Sequence, residues 1–143
     1  RKITENRKVD RRMFTDPLIA QDFVEKTGVD CLACAFGTVH GLYTTKPCLD
    51  YDLVKELDAA IGVPIVMHGG SGVSEADYDI VIENGVRKVN YYTYMAKSGG
   101  EAARAYASAS DIVYFHDIAN TAIAAMRSNV EEALRIFAHH RED

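Results

Sequence analysis

No run in this sequence approaches the roughly 18 uninterrupted apolar residues of a membrane span, and no secretory signal pattern is read in it. Cysteine is scarce: Cys31, Cys34 and Cys48 are the only three in 143 residues. Cys31 and Cys34 have the C-x-x-C spacing, but they lie in DCLACAFG, an apolar run that reads as a strand. Residues i and i+3 of a strand point to opposite faces about 10 Å apart, beyond the roughly 7 Å reach of a disulfide. No second C-x-x-C completes a zinc site. Both are expected to be core cysteines of a reduced, cytoplasmic protein. Excess positive charge is missing as well: the formal net charge is −5, which excludes a general binder of nucleic acid or anionic membrane. The exception is residues 1–12, with six basic and two acidic side chains. No aromatic residue interleaves there to stack on bases, so the segment reads as a solvated arm. Low-complexity segments and solenoid repeats are absent. The chain opens on Arg1 rather than Met and is expected to be a piece of something longer.

What is present is enough for one domain with a core: 143 residues, 48% hydrophobic. A first helix is expected after Thr15 or Asp16 as cap, with Pro17 at its first position, Gly28 at its end, and Leu18, Ile19, Phe23 and Val24 as its apolar stripe. CLACAFG follows as a strand of the kind buried on both faces in a parallel sheet. Asp50 caps a second helix with Leu53, Val54, Leu57 and Ile61 on one side, closed by Gly62. PIVMHG is the next strand, Ser74 caps a third helix carrying Ile80, Val81 and Ile82, and VRKVNYYT is a third strand. A break at Gly99 and Gly100 is expected before a tail of at least two helices, carrying Ala102, Ala105 and Ala109, then Ile118, Ile123, Met126, Val130, Leu134 and Phe137. This alternation predicts parallel βαβ units.

Ligands of parallel sheets collect at the C-terminal ends of the strands. Three polar, glycine-rich clusters fall there: Gly37, Thr38, His40 and Gly41; residues 68–72; and residues 90–93. Each has an ordinary structural reading as well. A histidine at a strand end is usually a hydrogen-bonded structural residue, but His40 and His68 take equivalent places on one rim. Catalytic zinc takes three protein ligands and an open position. His116, His139 and His140 lie in the helical tail, so a third ligand is missing. Gly69, Gly70 and Ser71 before a helix form either a simple turn or a phosphate cradle of unpaired amides. The sequence is neither G-x-G-x-x-G nor a P-loop. Residue chemistry thus leads to a phosphorylated small molecule, with or without a metal, and not to a reaction.

Taken together, GVDCLACAFGTVHGLYTTKPCLDYD, GVPIVMHGGSGV and NGVRKVNYYT resemble the class II, metal-dependent fructose- and tagatose-bisphosphate aldolases. The resemblance implies an α/β fold, a TIM (β/α)8 barrel of which this chain holds the last three parallel strands plus a helical tail. It implies a basic arm over residues 1–14, three βα units carrying half of the active site over 15–96, and C-terminal helices over 97–143. His40 and His68 match two zinc ligands of the family, and a further histidine ligand is expected outside this chain. Gly41 matches a backbone contact to the ketose phosphate; Gly69, Gly70 and Ser71 match the phosphate-binding turn; Asn90 and Thr93 match the ends of a third substrate-binding segment. The reaction implied is reversible aldol cleavage of a ketose phosphate to dihydroxyacetone phosphate and an aldehyde. The proton-transfer aspartate is expected in the missing first half, so the fragment alone is expected to be inactive. Asp50 and Asp117 do not replace it. Tyr91 and Tyr92 stand where the family has small residues, which points to a ketose phosphate other than fructose bisphosphate or to a differently sized aldehyde partner. Partners implied are a sugar phosphate and further copies of the chain in a dimer or tetramer. The alternatives are a non-catalytic half-barrel that binds a phosphorylated ligand or a partner chain, and a metal-free sugar-phosphate-binding domain.

Overall fold

A computed structural model describes residues 11–41, 46–109, 111 and 113–138. Most of the basic arm, His139 and His140 lie outside the described residues. The chain divides into two compact units, Arg1–Tyr91 and Tyr92–Asp143.

In the first unit, α1 (Pro17–Thr27) starts where Asp16 accepts from the amides of Leu18 and Ile19 at 2.9 and 3.0 Å. A capping carboxylate of this kind contributes about 1 kcal/mol. Thr15 bonds to the strand side instead. Its hydroxyl accepts from the Ala35 amide at 2.8 Å and its own amide donates to the Ala35 carbonyl at 2.9 Å. Three of the four residues of the expected apolar stripe of α1 are turned outward. Leu18 and Ile19 are more than two-thirds exposed and Phe23 about half, whereas Ala20 is buried. The helix packs against α2 (Tyr51–Ile61), with the small Ala20 and the half-buried Val24 on its inward side. In α2 the expectation holds throughout: Asp50 accepts from Leu53 N at 3.0 Å, and Leu53, Val54, Leu57 and Ile61 are all buried.

Strands β1 (Leu32–Ala33), β2 (Ile65–Met67) and β3 (Val86–Val89) form a parallel sheet in the order β1-β2-β3. Leu32 pairs with Ile65 and Ala33 with Val66. On the other side Ile65 pairs with Val86, but Val66 pairs with Lys88 and Met67 with Val89, so the register slips by one between Ile65 and Val66. All three residues of β2 are buried; α3 (Glu75–Glu83) adds Tyr78 and Val81, and β3 adds Val86. Each fully buried side chain such as Leu57 or Ile65 contributes roughly 1.5–3 kcal/mol.

Two strand expectations need correction. β1 is an edge strand among the described residues and its side chains alternate: Cys31, Ala33 and Ala35 are exposed while Cys34 and Phe36 are buried. Cys31 is therefore not a core residue; Cys34 is. β3 ends at Val89, not at Thr93, because Thr93 is already the first residue of a helix.

The second unit holds α4 (Thr93–Ala109) and α5 (Phe115–Phe137). α4 runs unbroken through Gly99 and Gly100, where the sequence predicts a break. Gly99 is buried against α5; a Cβ there would lie 2.6 Å from Met126 Cγ. That glycine allows close helix contact instead of ending the helix. Ile123 and Leu134, expected on the apolar stripe of the tail, are more than half exposed.

Candidate metal and phosphate site

The parallel strands deliver their following residues to one rim. His40 and Gly41 belong to the segment after β1, His68 follows β2 directly, and Asn90 follows β3 directly. Asn90 is fixed by its amide, which donates to the Met67 carbonyl at 2.8 Å. Its side-chain Nδ2 lies 3.0 Å from His68 Nε2, and His68 Nδ1 lies 3.2 Å from His40 Nε2. The two imidazoles meet edge to face, with centroids 5.4 Å apart.

Lys88 sets the sense of this row. Its ammonium can only donate, and it bonds Asn90 Oδ1. The NH2 end of Asn90 therefore faces His68 Nε2, while His68 Nδ1 faces His40. Lys88 was not foreseen from the sequence, although residues two apart on a strand share a face.

Gly69 holds the two histidine-bearing segments together. Its φ is +69°, and a Cβ would fall 2.3 Å from the Val39 carbonyl oxygen, the residue before His40. Only glycine permits both that conformation and that approach.

The rest of the turn differs from a row of open amides. Gly70 N–H donates to Asn90 O at 3.4 Å, and its carbonyl accepts from Val73 N at 3.1 Å and from the Tyr78 hydroxyl. The Gly70 amide is thus committed within the protein. Ser71 is buried. The N-terminus of α3 is also served already, by the Ser74 cap and by Glu75 and Asp77 in the first turn. Asp77 is buried, yet ionised: it accepts from Tyr51 and Ser74, both at 2.6 Å, and pairs with Lys46 at 3.3 Å. Burial alone would raise its pKa; the hydrogen bonds from Ser74, Tyr51 and Lys46, with the charge of Lys46, outweigh that and hold it below the usual aspartate value. The bond to Asp77, with burial and the nearby charge adding to it, pushes the Tyr51 phenol up to about 12.

Ala33, Cys34, Ala35, Thr38, His40 and His68 line a cavity of about 250 Å³. Small-molecule sites span roughly 300–1,000 Å³, so this is a partial wall. Burial pushes the Cys34 thiol up to about 11, which keeps it protonated and unsuited to nucleophilic work. Tyr91 is half-buried. Tyr92 and Thr93 open the second unit, Tyr92 being 64% exposed and Thr93 the first residue of α4. No group of three or more His, Cys, Asp or Glu converges among the described residues.

Residues 2–141 match the family described as Fructose-bisphosphate aldolase class-II, and the chain belongs to that family. It is similar to the uncharacterized protein YdjI of Escherichia coli strain K12, with 43% identity over 91 residues, covering 64% of this chain and 33% of YdjI. The crystal structure of the YdjI aldolase superposes with a TM-score of 0.78 at 35% identity, over 87% of this chain and 46% of that one. The fructose-bisphosphate aldolase of Campylobacter jejuni shares the fold, with a TM-score of 0.73 at 19% identity over 90% of this chain and 46% of that one. The chain thus spans less than half the length of these relatives. No described helix is long and apolar enough to cross a membrane.

Proposed function

We propose that the first unit is the last three βα units of a TIM barrel, and that His40 and His68 hold the metal of an aldolase acting on a ketose phosphate. The carrying observation is the 3.2 Å between His40 Nε2 and His68 Nδ1. The two ring nitrogens stand close enough together that one zinc ion would be held by both, with further positions left for other ligands. The donor set, two imidazoles, suits zinc. When bound, the metal supplies a Lewis acid for the substrate carbonyl.

The chain's own residues do the rest of what is assigned here. For His68 Nδ1 to act as a ligand it must be free of a proton, and Asn90 beside Nε2 would orient the ring. Gly41, Gly69, Gly70, Ser71, Asn90 and Thr93 lie on the segments that receive the sugar phosphate. With the Gly70 amide engaged, Gly70 contributes room rather than a hydrogen bond. Tyr91 and Tyr92 narrow the third segment, which favours a ketose phosphate other than fructose bisphosphate. No described residue is assigned the proton transfer. That group and a third histidine belong to the upstream half, whose strands would pair with the open edge of β1 and cover Leu18, Ile19 and Phe23. The chain alone is then inactive, and the complete enzyme is a cytoplasmic dimer or tetramer.

Zinc titration of the chain tests the reading. One site is expected, weakened about tenfold or more in His40→Ala and in His68→Ala, since even outer partners of a metal site are worth 10–100-fold. Equal affinity in wild type and both variants would overturn it. In the complete enzyme, cleavage of fructose and tagatose bisphosphates with and without chelator then reports the substrate.

A further inference from the structure

We infer that Tyr78 is a positioning residue for the histidine pair, acting through Gly70 and Asn90; this rests on the reading of His40 and His68 as metal ligands. Tyr78 lies in α3 and is 3% exposed, and its hydroxyl donates to the Gly70 carbonyl. Phenylalanine would fill the same space, so the hydroxyl is there for its hydrogen bond.

Gly70 is pressed between Tyr78 and the end of β3. A Cβ on it would fall 2.7 Å from Val89 Cγ1, 3.0 Å from the Tyr78 hydroxyl and 3.3 Å from the Asn90 carbonyl oxygen. Its carbonyl faces Tyr78 and its amide donates to that Asn90 carbonyl at 3.4 Å. The Asn90 main chain is thereby held on two sides, by Met67 and by Gly70, which aims its side chain at His68. A continuous row of hydrogen bonds runs from a core hydroxyl to a rim imidazole: Tyr78 to Gly70, Gly70 to Asn90, Asn90 to His68, His68 to His40. The Gly70–Asn90 link is long, so it is the step that loosens once the Tyr78 hydroxyl no longer holds Gly70, whose carbonyl and amide lie in successive peptides, toward α3. The influence of Tyr78 is carried by the two residues between, Gly70 and Asn90.

The test is a double-mutant cycle on the whole chain, read by zinc affinity, the visible spectrum of bound Co²⁺ and the urea midpoint. Tyr78→Phe removes one oxygen and leaves the Gly70 carbonyl bonded to Val73, so the fold is retained. The expected result is zinc affinity about fivefold weaker in Tyr78→Phe, with a changed Co²⁺ spectrum, and about tenfold weaker in Asn90→Ala, at the low end of what outer-shell partners contribute. The double variant should match Asn90→Ala, because both changes break one route. A lower urea midpoint in Tyr78→Phe with unchanged zinc affinity and Co²⁺ spectrum would mean that Tyr78 only packs, and the inference falls. Additive losses in the double variant would also overturn it. Zinc affinity that is equal in wild type and His68→Ala overturns the metal reading itself. Failure of Tyr78's role alone looks different: His68→Ala then weakens binding and Tyr78→Phe does not.

Discussion

Replacing Gly69 by alanine should uncouple the two histidines, and Gly62→Ala is a built-in control. Both glycines are left-handed, with φ of +69° and +65°. Placing an L side chain in that region costs about 1–2 kcal/mol, and the partial offset from a stiffer unfolded chain is the same at both sites. They differ in surroundings. Nothing lies within 4 Å of a Cβ at residue 62, whereas a Cβ at residue 69 would fall 2.3 Å from the Val39 carbonyl oxygen and 2.7 Å from its carbon. Ordinary contact begins near 3.4 Å, so the Val39 segment must retreat by about 1 Å. Overpacking of that kind adds roughly 1–3 kcal/mol. Gly62→Ala should then cost about 1 kcal/mol and Gly69→Ala about 2–4 kcal/mol in urea unfolding. The same shift moves His40, the next residue along, away from His68. A metal site tolerates about ±0.2 Å in its ligand distances, so zinc affinity should fall about tenfold or more in Gly69→Ala and stay at the wild-type value in Gly62→Ala. Two variants that unfold at the same urea concentration and bind zinc equally would refute the steric argument.

Two further outcomes follow from the titrating groups. At pH 8 the Cys34 thiol, pushed up to about 11, is ionised in about one molecule per thousand; Cys31 and Cys48 are exposed. A thiol reagent should therefore label two cysteines promptly and the third only on unfolding, and three labelled at one rate would contradict the burial of Cys34. Asp77 titrates below the usual aspartate value when folded, so its stabilising contribution is complete above about pH 4 and is lost as the pH falls through its folded pKa. Asp77→Asn should cost about 1–3 kcal/mol at pH 7 and progressively less below pH 4. A stability gap that did not narrow in acid would mean that the carboxylate charge is not what the network uses.

The features legible in the sequence were those fixed within a few residues. Asp16, Asp50 and Ser74 cap helices through bonds to amides two or three positions on, so their effect can be read locally. The unreadable features depend on what lies across the fold. Leu18, Ile19 and Phe23 have a helical spacing suited to burial, yet the side that meets α2 is chosen by the small Ala20. Gly99 and Gly100 have the composition of a break, but Met126 of α5 turns Gly99 into a contact point. The Tyr78 hydroxyl reaches a carbonyl eight residues earlier, and an apolar α3 pattern hides that tyrosine among its core residues.

The site itself depends on one irregularity that no pattern in the sequence announces. Continued without a slip, the pairing of Ile65 with Val86 would set Met67 against Lys88 and His68 against Val89. An aliphatic side chain would then face the second imidazole. The shift between Ile65 and Val66 instead sets Met67 against Val89, so His68 and Asn90 leave their strands side by side. A one-residue shift also exchanges faces along a strand, which is how Lys88 and Asn90 come to share the side that reaches His68. Irregularities of this kind recur beside functional sites because they re-aim side chains. Here the slip converts two ordinary strand ends, Met67-His68 and Val89-Asn90, into one hydrogen-bonded corner against which His40 is set.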